Sequence, residues 1–260
     1  MSFDAERVAE LIAETRLRRG RMKKLPPDVA PATAAEGAAS QAALARRMNA
    51  MPPAGFKIGA TAKRMQAYLG LSGPVAGFMP AAGMHPSGVA LPFAGLTNPG
   101  VECELLVRLA RDLPPGPCTQ EQARAAVGTL FAGIEIVENR YADDLATIGV
   151  PSLMADQVYH AACIAGDPPP DWQALDVAAL AGRMTVNGEL RAEGLGADLL
   201  GHPLNCLAWL ADWVEAAAFG GLRAGQVVML GSVTPPIWLD GPSAVTVAFD
   251  SLPPVEVRLT

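Results

Sequence analysis

Residues 99–109, PGVECELLVRL, decide the fold: two glutamates interrupt a run that is otherwise apolar. A strand repeats every two residues, so Glu102 and Glu104 project from one face while Val101, Cys103 and Leu105 project from the other. Successive side chains on one face lie roughly 7 Å apart. A second apolar run, residues 130–139, LFAGIEIVEN, carries Glu135 between Ile134 and Ile136. If these two strands are neighbours, the three acids converge. Burying an ionised carboxylate costs on the order of several kcal/mol unless a cation compensates. A hard divalent ion, Mg²⁺ or Mn²⁺, is the natural compensator for oxygen ligands. The spacing alone leaves a second reading open, in which Glu102 and Glu104 sit on a solvated face and merely alternate with the core.

Outward from these strands, the 260 residues, half of them apolar, suffice for a large core in one domain or in a small domain plus a large one. The net charge of −6 argues against nucleic acid as a partner, because phosphate neutralisation needs a basic surface. The local basic run RLRRGRMKK, residues 16–24, reads as the solvated end of a helix. The four cysteines show no short paired spacing and read as reduced thiols. Acids within the apolar stretch of the N-terminus exclude a secretory signal or a membrane span there, and no other run is long enough to span. A cytoplasmic protein without a membrane partner is expected.

Along the chain, Val8, Leu11, Ile12 and Leu17 form one stripe of a first helix ending near Gly20. After the Pro-rich segment KLPPDVAPATAAEG, a second helix is predicted over about 38–48, stopping before Pro52 and Pro53. Residues 1–50 therefore read as a helical arm and 51–260 as the body. Thr119 and Gln122 predict a capping box for a helix through about Leu130. Asn187 and Gly188 predict a tight hairpin turn in RMTVNGELRAEG. GHPLNCLAWLADWVEAAA reads as one helix with Pro203 in its first turn and Leu207, Leu210 and Val214 on one face. VVMLGSV reads as a buried strand, and SAVTVAF with VEVRL as a closing antiparallel pair. Helices scattered between antiparallel strands give an α+β class.

Taken together, FKIGAT (56–61), VECE (101–104), IEIVENR (134–140), MAD (154–156), LGHPLNCLAWLA (200–211) and LRAGQVVMLGS (222–232) resemble the fumarylacetoacetate hydrolase superfamily. Within it, the likeness is to the branch of 2-keto-4-pentenoate hydratases and 4-oxalocrotonate decarboxylases. The resemblance implies a mixed β-sheet roll preceded by the N-terminal helical arm, and a homo-oligomer. It implies Mg²⁺ or Mn²⁺ held by Glu102, Glu104 and Glu135, with Lys57 beside metal and substrate as the proton-transfer group. From the residues themselves, a lysine between Phe56 and Ile58 faces either a cleft, where its charge needs a partner, or solvent. Gly231 and Ser232 match a turn that contacts substrate oxygens. The activity implied is hydration of a 2-hydroxy-2,4-dienoate or related small 2-oxo acid in aromatic catabolism. The alternatives are decarboxylation of an oxalocrotonate-type diacid, C–C hydrolysis of an acylpyruvate, or a non-catalytic metal- and ligand-binding relative.

Two positions depart from the family pattern. In GLSGPVAGFMPAAG, residues 70–83, Val75 or Ala76 stands where an aspartate is expected. After MAD, Tyr159 replaces a small hydroxyl residue that would lie near the substrate, which makes Tyr159 a candidate substrate contact. Of the three histidines, His202 reads as structural at the start of its helix, while His85 and His160 are candidates for a replacement proton-transfer group. A glutamate–histidine pair on a short lid helix, which the superfamily's C–C hydrolases use, has no equivalent near residues 62–90.

Overall fold

The structure, a computed structural model, describes residues 3–69 and 71–260. Helices α1 (Ala5–Leu17) and α2 (Ala34–Arg47) come first, followed by strand β1 (Gly55–Gly59), helix α3 (Lys63–Leu69) and strands β2 (Val75–Met79), β3 (Met84–Pro86) and β4 (Val89–Leu91). The two glutamate strands are β5 (Pro99–Leu109) and β6 (Val127–Glu138), joined through α4 (Gln120–Ala126). Next come α5 (Leu145–Ile148), α6 (Val150–Ala155), β7 (His160–Ala165), β8 (Ala181–Val186) and β9 (Glu189–Leu195). The chain closes with α7 (Pro203–Ala211), α8 (Val214–Ala218), β10 (Val227–Ser232), β11 (Ile237–Trp238), β12 (Ser243–Phe249) and β13 (Val255–Leu259).

Among the described residues these strands form two sheets. The eight-stranded mixed sheet runs β2-β1-β10-β5-β6-β7-β3, with β11 also on β5, and the five-stranded sheet runs β4-β13-β12-β8-β9. The pleat separates the two faces of the large sheet. Val101, Cys103, Leu105, Ile134, Ile136 and Val228 join the main core, together with Val245, Val247 and Val257 of the small sheet. Glu102, Glu104, Glu135 and Lys57 point to the opposite face, where Met79, Leu106, Phe131, Cys163, Val227 and Met229 make a second apolar cluster. Burying both faces is what a near-continuous apolar strand such as β5 requires.

The N-terminal helices share the main core through Val8, Ile12, Ala43 and Leu44. The buried Gln41 also closes the outer edge of the large sheet. Its Nε2 donates to the Ala76 carbonyl at 2.9 Å and to the Met154 carbonyl at 2.6 Å, while its Oε1 accepts from the Phe78 N–H at 3.0 Å. The Ala76 N–H donates to Glu215 Oε1 at 3.1 Å, and Gln157 Nε2 donates to the Phe78 carbonyl at 2.5 Å. Side chains thus take the place of a missing neighbouring strand.

The α+β class, the Asn187–Gly188 hairpin (φ 53° and 82°) and the β12–β13 pair agree with the sequence reading. Several local expectations do not. The Thr119–Gln122 capping box forms, but α4 stops at Ala126, because Val127, Thr129 and Leu130 pair with β5 and register outweighs helix propensity. The single helix expected after Pro203 is broken at Asp212 and Trp213, where Trp213 is extended. Val214 therefore leaves the Leu207–Leu210 stripe and packs near Val75, Met154 and Val158. Leu17 is 84% exposed and contributes nothing to the stripe of α1. Helix α2 starts four residues earlier than expected, at Ala34, because Thr33 and Glu36 form a capping box. The basic run is only partly solvated, since Arg16 turns inward to Asp156 and Arg21 bonds the Tyr141 carbonyl.

Candidate active site

Register brings the three acids together. Glu102 lies directly opposite Glu135 in the antiparallel β5–β6 pair, and Glu104 lies opposite Gly133. One oxygen from each carboxylate lies within 4.8 Å of the others. Glu104 and Glu135 are each 1% exposed, so the solvated-face reading does not hold for them. Burial, then repulsion from Glu135, pushes Glu102 up to about 8, with Lys57 opposing. Burial and the other two acids push Glu104 well above the ordinary carboxylate range, against the pull of the Gly231 N–H and Lys57. Burial also acts upward on Glu135, but Lys57 and His160 outweigh it and hold Glu135 below the ordinary range. One lysine therefore compensates one acid of the three.

Lys57 lies on β1, and its buried Nζ donates to the Val158 carbonyl at 2.8 Å and lies 3.3 Å from Glu135 Oε1. The carbonyl that holds it belongs to an unusual turn. Gln157, Val158 and Tyr159 all have positive φ, at 56°, 51° and 70°. For residues with a Cβ each such conformation costs about 1–2 kcal/mol, and the β-branched Val158 is the least suited to it. Both flanks tie the turn down. Asp156, 1% exposed, accepts from Arg16 Nε at 2.9 Å and from Arg140 Nε at 3.3 Å, and Arg16 Nη2 also bonds both its carboxylate and its carbonyl. Gly77 opens room beside Gln157, whose carbonyl oxygen a Cβ there would meet at 2.8 Å. Burial acts upward on Asp156, but the two guanidiniums outweigh it and hold the carboxyl low.

On the far side of Glu135, His160 Nδ1 lies 2.8 Å from Glu135 Oε1. Burial acts to lower the pKa of the imidazole, against the pull of the adjacent carboxylate; because a carboxylate oxygen can only accept, the contact calls for the proton on Nδ1. Lys57, Glu135 and His160 form one buried chain. Among the described residues, Glu135 Oε2 and His160 Nε2 have no hydrogen-bond partner. His202, by contrast, caps α7 by accepting from the Leu204 N–H at 3.1 Å, the structural role expected of it.

The cleft beside Glu102 and Glu104 is lined by residues including Ala60, Thr61, Met65, Ser232 and Thr234. The Gly231 N–H donates to Glu104 Oε2 at 2.9 Å. Gly231 has φ 118°, and a Cβ there would lie 2.4 Å from Thr61 Oγ1, so only glycine fits. The Ser232 hydroxyl accepts from the Cys103 N–H at 3.1 Å and faces the Cys103 carbonyl at 3.2 Å, locking the β10 bulge onto β5. Tyr159 is not brought to this cleft: its ring meets Tyr141 edge-on at 5.9 Å. Val75 faces Gly59 in register, so the position expected to carry an acid presents methyl groups. Helix α3, KRMQAYL, places Met65 in the cleft and contains neither glutamate nor histidine. The sequence reading did not find Thr61 and Thr234, because a threonine in a loop has no periodicity; the buried Thr234 Oγ1 has no partner among the described residues.

Known proteins share this arrangement of strands. The chain is 35% identical over 184 residues to the 2-hydroxyhexa-2,4-dienoate hydratase of Comamonas testosteroni, covering 70% of this chain and 68% of that one. It is 32% identical over 215 residues to the 2-keto-4-pentenoate hydratase of Burkholderia vietnamiensis, covering 83% and 81%. Its structure is similar to that of the 4-oxalocrotonate decarboxylase of Pseudomonas putida complexed with magnesium and adipate. The TM-score is 0.89 at 26% identity, over 98% of this chain and 97% of the other. Residues 60–260 match the family described as fumarylacetoacetate (FAA) hydrolase, C-terminal, and the chain belongs to that family.

Proposed function

We propose that this protein is a divalent-metal-dependent lyase that adds water to a 2-hydroxy-2,4-dienoate or the related small 2-oxo acid, as part of aromatic catabolism. The observation that carries the reading is the convergence of the partly buried Glu102 with the buried Glu104 and Glu135, beside the buried Lys57. The donor set fits Mg²⁺ or Mn²⁺: three carboxylates offer hard oxygens, burial and mutual repulsion push two of them above the ordinary carboxylate range, and Glu135 keeps a buried oxygen with no partner among the described residues. Glu102, Glu104 and Glu135 are the proposed ligands. Such an ion supplies positive charge that favours the enolate form of a 2-oxo acid.

The remaining work falls to the chain's own side chains. Lys57 is the proposed proton-transfer group, oriented by the Val158 carbonyl and Glu135. His160 fixes the carboxylate of Glu135 through Nδ1–H. Gly231 orients Glu104, while Ser232 and Thr234 border the space for substrate oxygens. The turn that contains Tyr159 contributes by presenting the Val158 carbonyl to Lys57.

The decisive assay follows the ultraviolet decay of freshly generated 2-hydroxypenta-2,4-dienoate with and without Mg²⁺, with the product identified by mass. Metal-dependent gain of water is the expected result; turnover that survives both metal removal and Glu102→Gln refutes the site. A second reading, decarboxylation of an oxalocrotonate-type diacid, is supported by the extent of structural similarity to the decarboxylase. Metal-dependent loss of CO₂ from 2-hydroxymuconate's keto tautomer, without hydration of the dienoate, would select it.

A further inference from the structure

Three cavities follow one another around the base of α3. The cleft beside Glu102 and Glu104 is small, about 30 Å³, and shares Thr61 and Ala62 with a second cavity of about 450 Å³. The second shares Lys63 and Leu200 with a third of about 580 Å³. This third chamber is walled mainly by apolar side chains, among them Leu71, Val75, Val150, Met154 and the indoles of Trp209 and Trp213. The two indoles stack with ring centres 5.2 Å apart.

The chamber and the acid cluster meet at Val75. Val75 Cγ2 and Lys57 Nζ lie 3.9 Å and 3.5 Å from the point where a Cβ on Gly59 would sit, and Val158 Cγ1 lies 3.6 Å from it. Val75, Met154 and Val158 also form one buried apolar cluster with Leu71 and Val150 at its margin. Behind the cleft wall, buried apolar packing therefore connects the neighbourhood of the lysine to the chamber, while the open route between cleft and chamber runs through the second cavity, past Lys63 and Asp198. Among the described residues that line the chamber, Lys63 alone carries a charge, and its Nζ is engaged with Gln66 Oε1 at 3.2 Å.

Resting on the lyase reading above, we infer that the chamber beyond Val75 is a subsite for an uncharged, apolar tail on the 2-oxo acid, so that the substrate class is an alkyl-substituted dienoate rather than a short or doubly charged one. A pocket of this size and character gains affinity from each methylene it removes from water. Val75 is then a specificity-determining residue: a methyl-bearing wall tolerates a hydrocarbon chain beside it, whereas a carboxylate there would have to be desolvated.

The test is calorimetric titration of the Mg²⁺-loaded protein with unreactive probes: pyruvate, 2-oxopentanoate, 2-oxohexanoate, 2-oxooctanoate and 2-oxoadipate. Kd should fall about fourfold per added methylene, roughly sixtyfold from 2-oxopentanoate to 2-oxooctanoate. Val150→Phe and Leu71→Phe, which fill the chamber from its partly exposed rim, should each abolish that gradient and leave pyruvate affinity unchanged. A flat series, or a gradient that survives both filled variants, overturns the inference and leaves the lyase reading standing. Tighter binding of 2-oxoadipate than of 2-oxohexanoate also overturns it and assigns Lys63 to a distal carboxylate. Failure of every 2-oxo acid to bind overturns both.

Discussion

Asp156 sits at the centre of a buried ionic knot, and Asp156→Asn should be strongly destabilising. The wild-type carboxylate faces two guanidiniums, Arg16 and Arg140, whose side chains are 16% and 4% exposed. Without its charge, the partly buried Arg16 loses its carboxylate partner and the buried Arg140 keeps only Glu138. Removing one partner of a buried ion pair costs about 3–5 kcal/mol, a large share of the 5–15 kcal/mol that typically separates folded from unfolded protein. For a chain of this length that corresponds to a fall in Tm of roughly 10 °C. Urea unfolding followed by tryptophan fluorescence reads the effect as a lower midpoint at unchanged slope. The pH dependence supplies an internal check. A carboxyl whose folded pKa lies below its ordinary value of 3.8 contributes stability that is fully present above that value and is lost as pH falls through the folded pKa. The gap between wild type and variant should therefore be constant from neutral pH to about pH 5 and close in strong acid. Arg183→Ala, which removes a surface pair with Glu193 and Asp250, should leave the midpoint unmoved. A shift of less than about 1 kcal/mol for Asp156→Asn would refute the view that this knot holds the turn.

Other expectations follow from the same geometry. Glu104→Gln should abolish the rise in Tm that Mg²⁺ produces in the wild type and remove activity with it; a retained Mg²⁺ response would exclude Glu104 as a ligand. Gly231→Ala should destabilise by about 1–3 kcal/mol, because it combines a positive φ with the contact to Thr61 and displaces the N–H that Glu104 accepts; an unchanged Tm would show that the bulge relaxes freely. Burial raises Glu215 to about 7 from an ordinary 4.5, so its folded form stays protonated where the unfolded chain has ionised. Stability should therefore fall by about 3 kcal/mol as pH rises from 4.5 to 7 and level off above it. Glu215→Gln should remove that slope and be the more stable protein at pH 8, and identical pH profiles would assign the slope elsewhere.

The acid cluster was legible because a charge inside an apolar strand is costly wherever it occurs, and the two-residue period states which face it takes. The sequence also implied that Glu102 and Glu135 converge if their strands are neighbours, and they prove to be direct partners in register. What it did not carry were the contacts made across long separations. Arg16 reaches Asp156 over 140 residues, and Gln41 reaches Met154 over 113, with no local signal to announce either. The insertion of β10 between β1 and β5 was equally silent, since strand order is set by the whole packing. Helix ends failed where tertiary pairing prevailed, as at Val127, while the cap at Thr119, being local chemistry, was read correctly and His202 holds the structural place expected of it. The left-handed turn at 157–159 went unseen because Val and Tyr have little intrinsic tendency to adopt it.

The closure of the sheet at β2 has a consequence for how copies of this chain can meet. An open strand edge is a template: its main-chain groups recruit any extended segment, including the same strand from another molecule, into a growing ribbon. Here the outward N–H and carbonyl groups of Ala76 and Phe78 are occupied by side chains from α2, α8 and the turn after α6. Prising the β2 edge open would mean stripping Gln41, Gln157 and Glu215 of their buried partners together. Assembly through this edge is thereby disfavoured, and strand-to-strand pairing of copies is left to the other sheet ends, β3, β4 and β9.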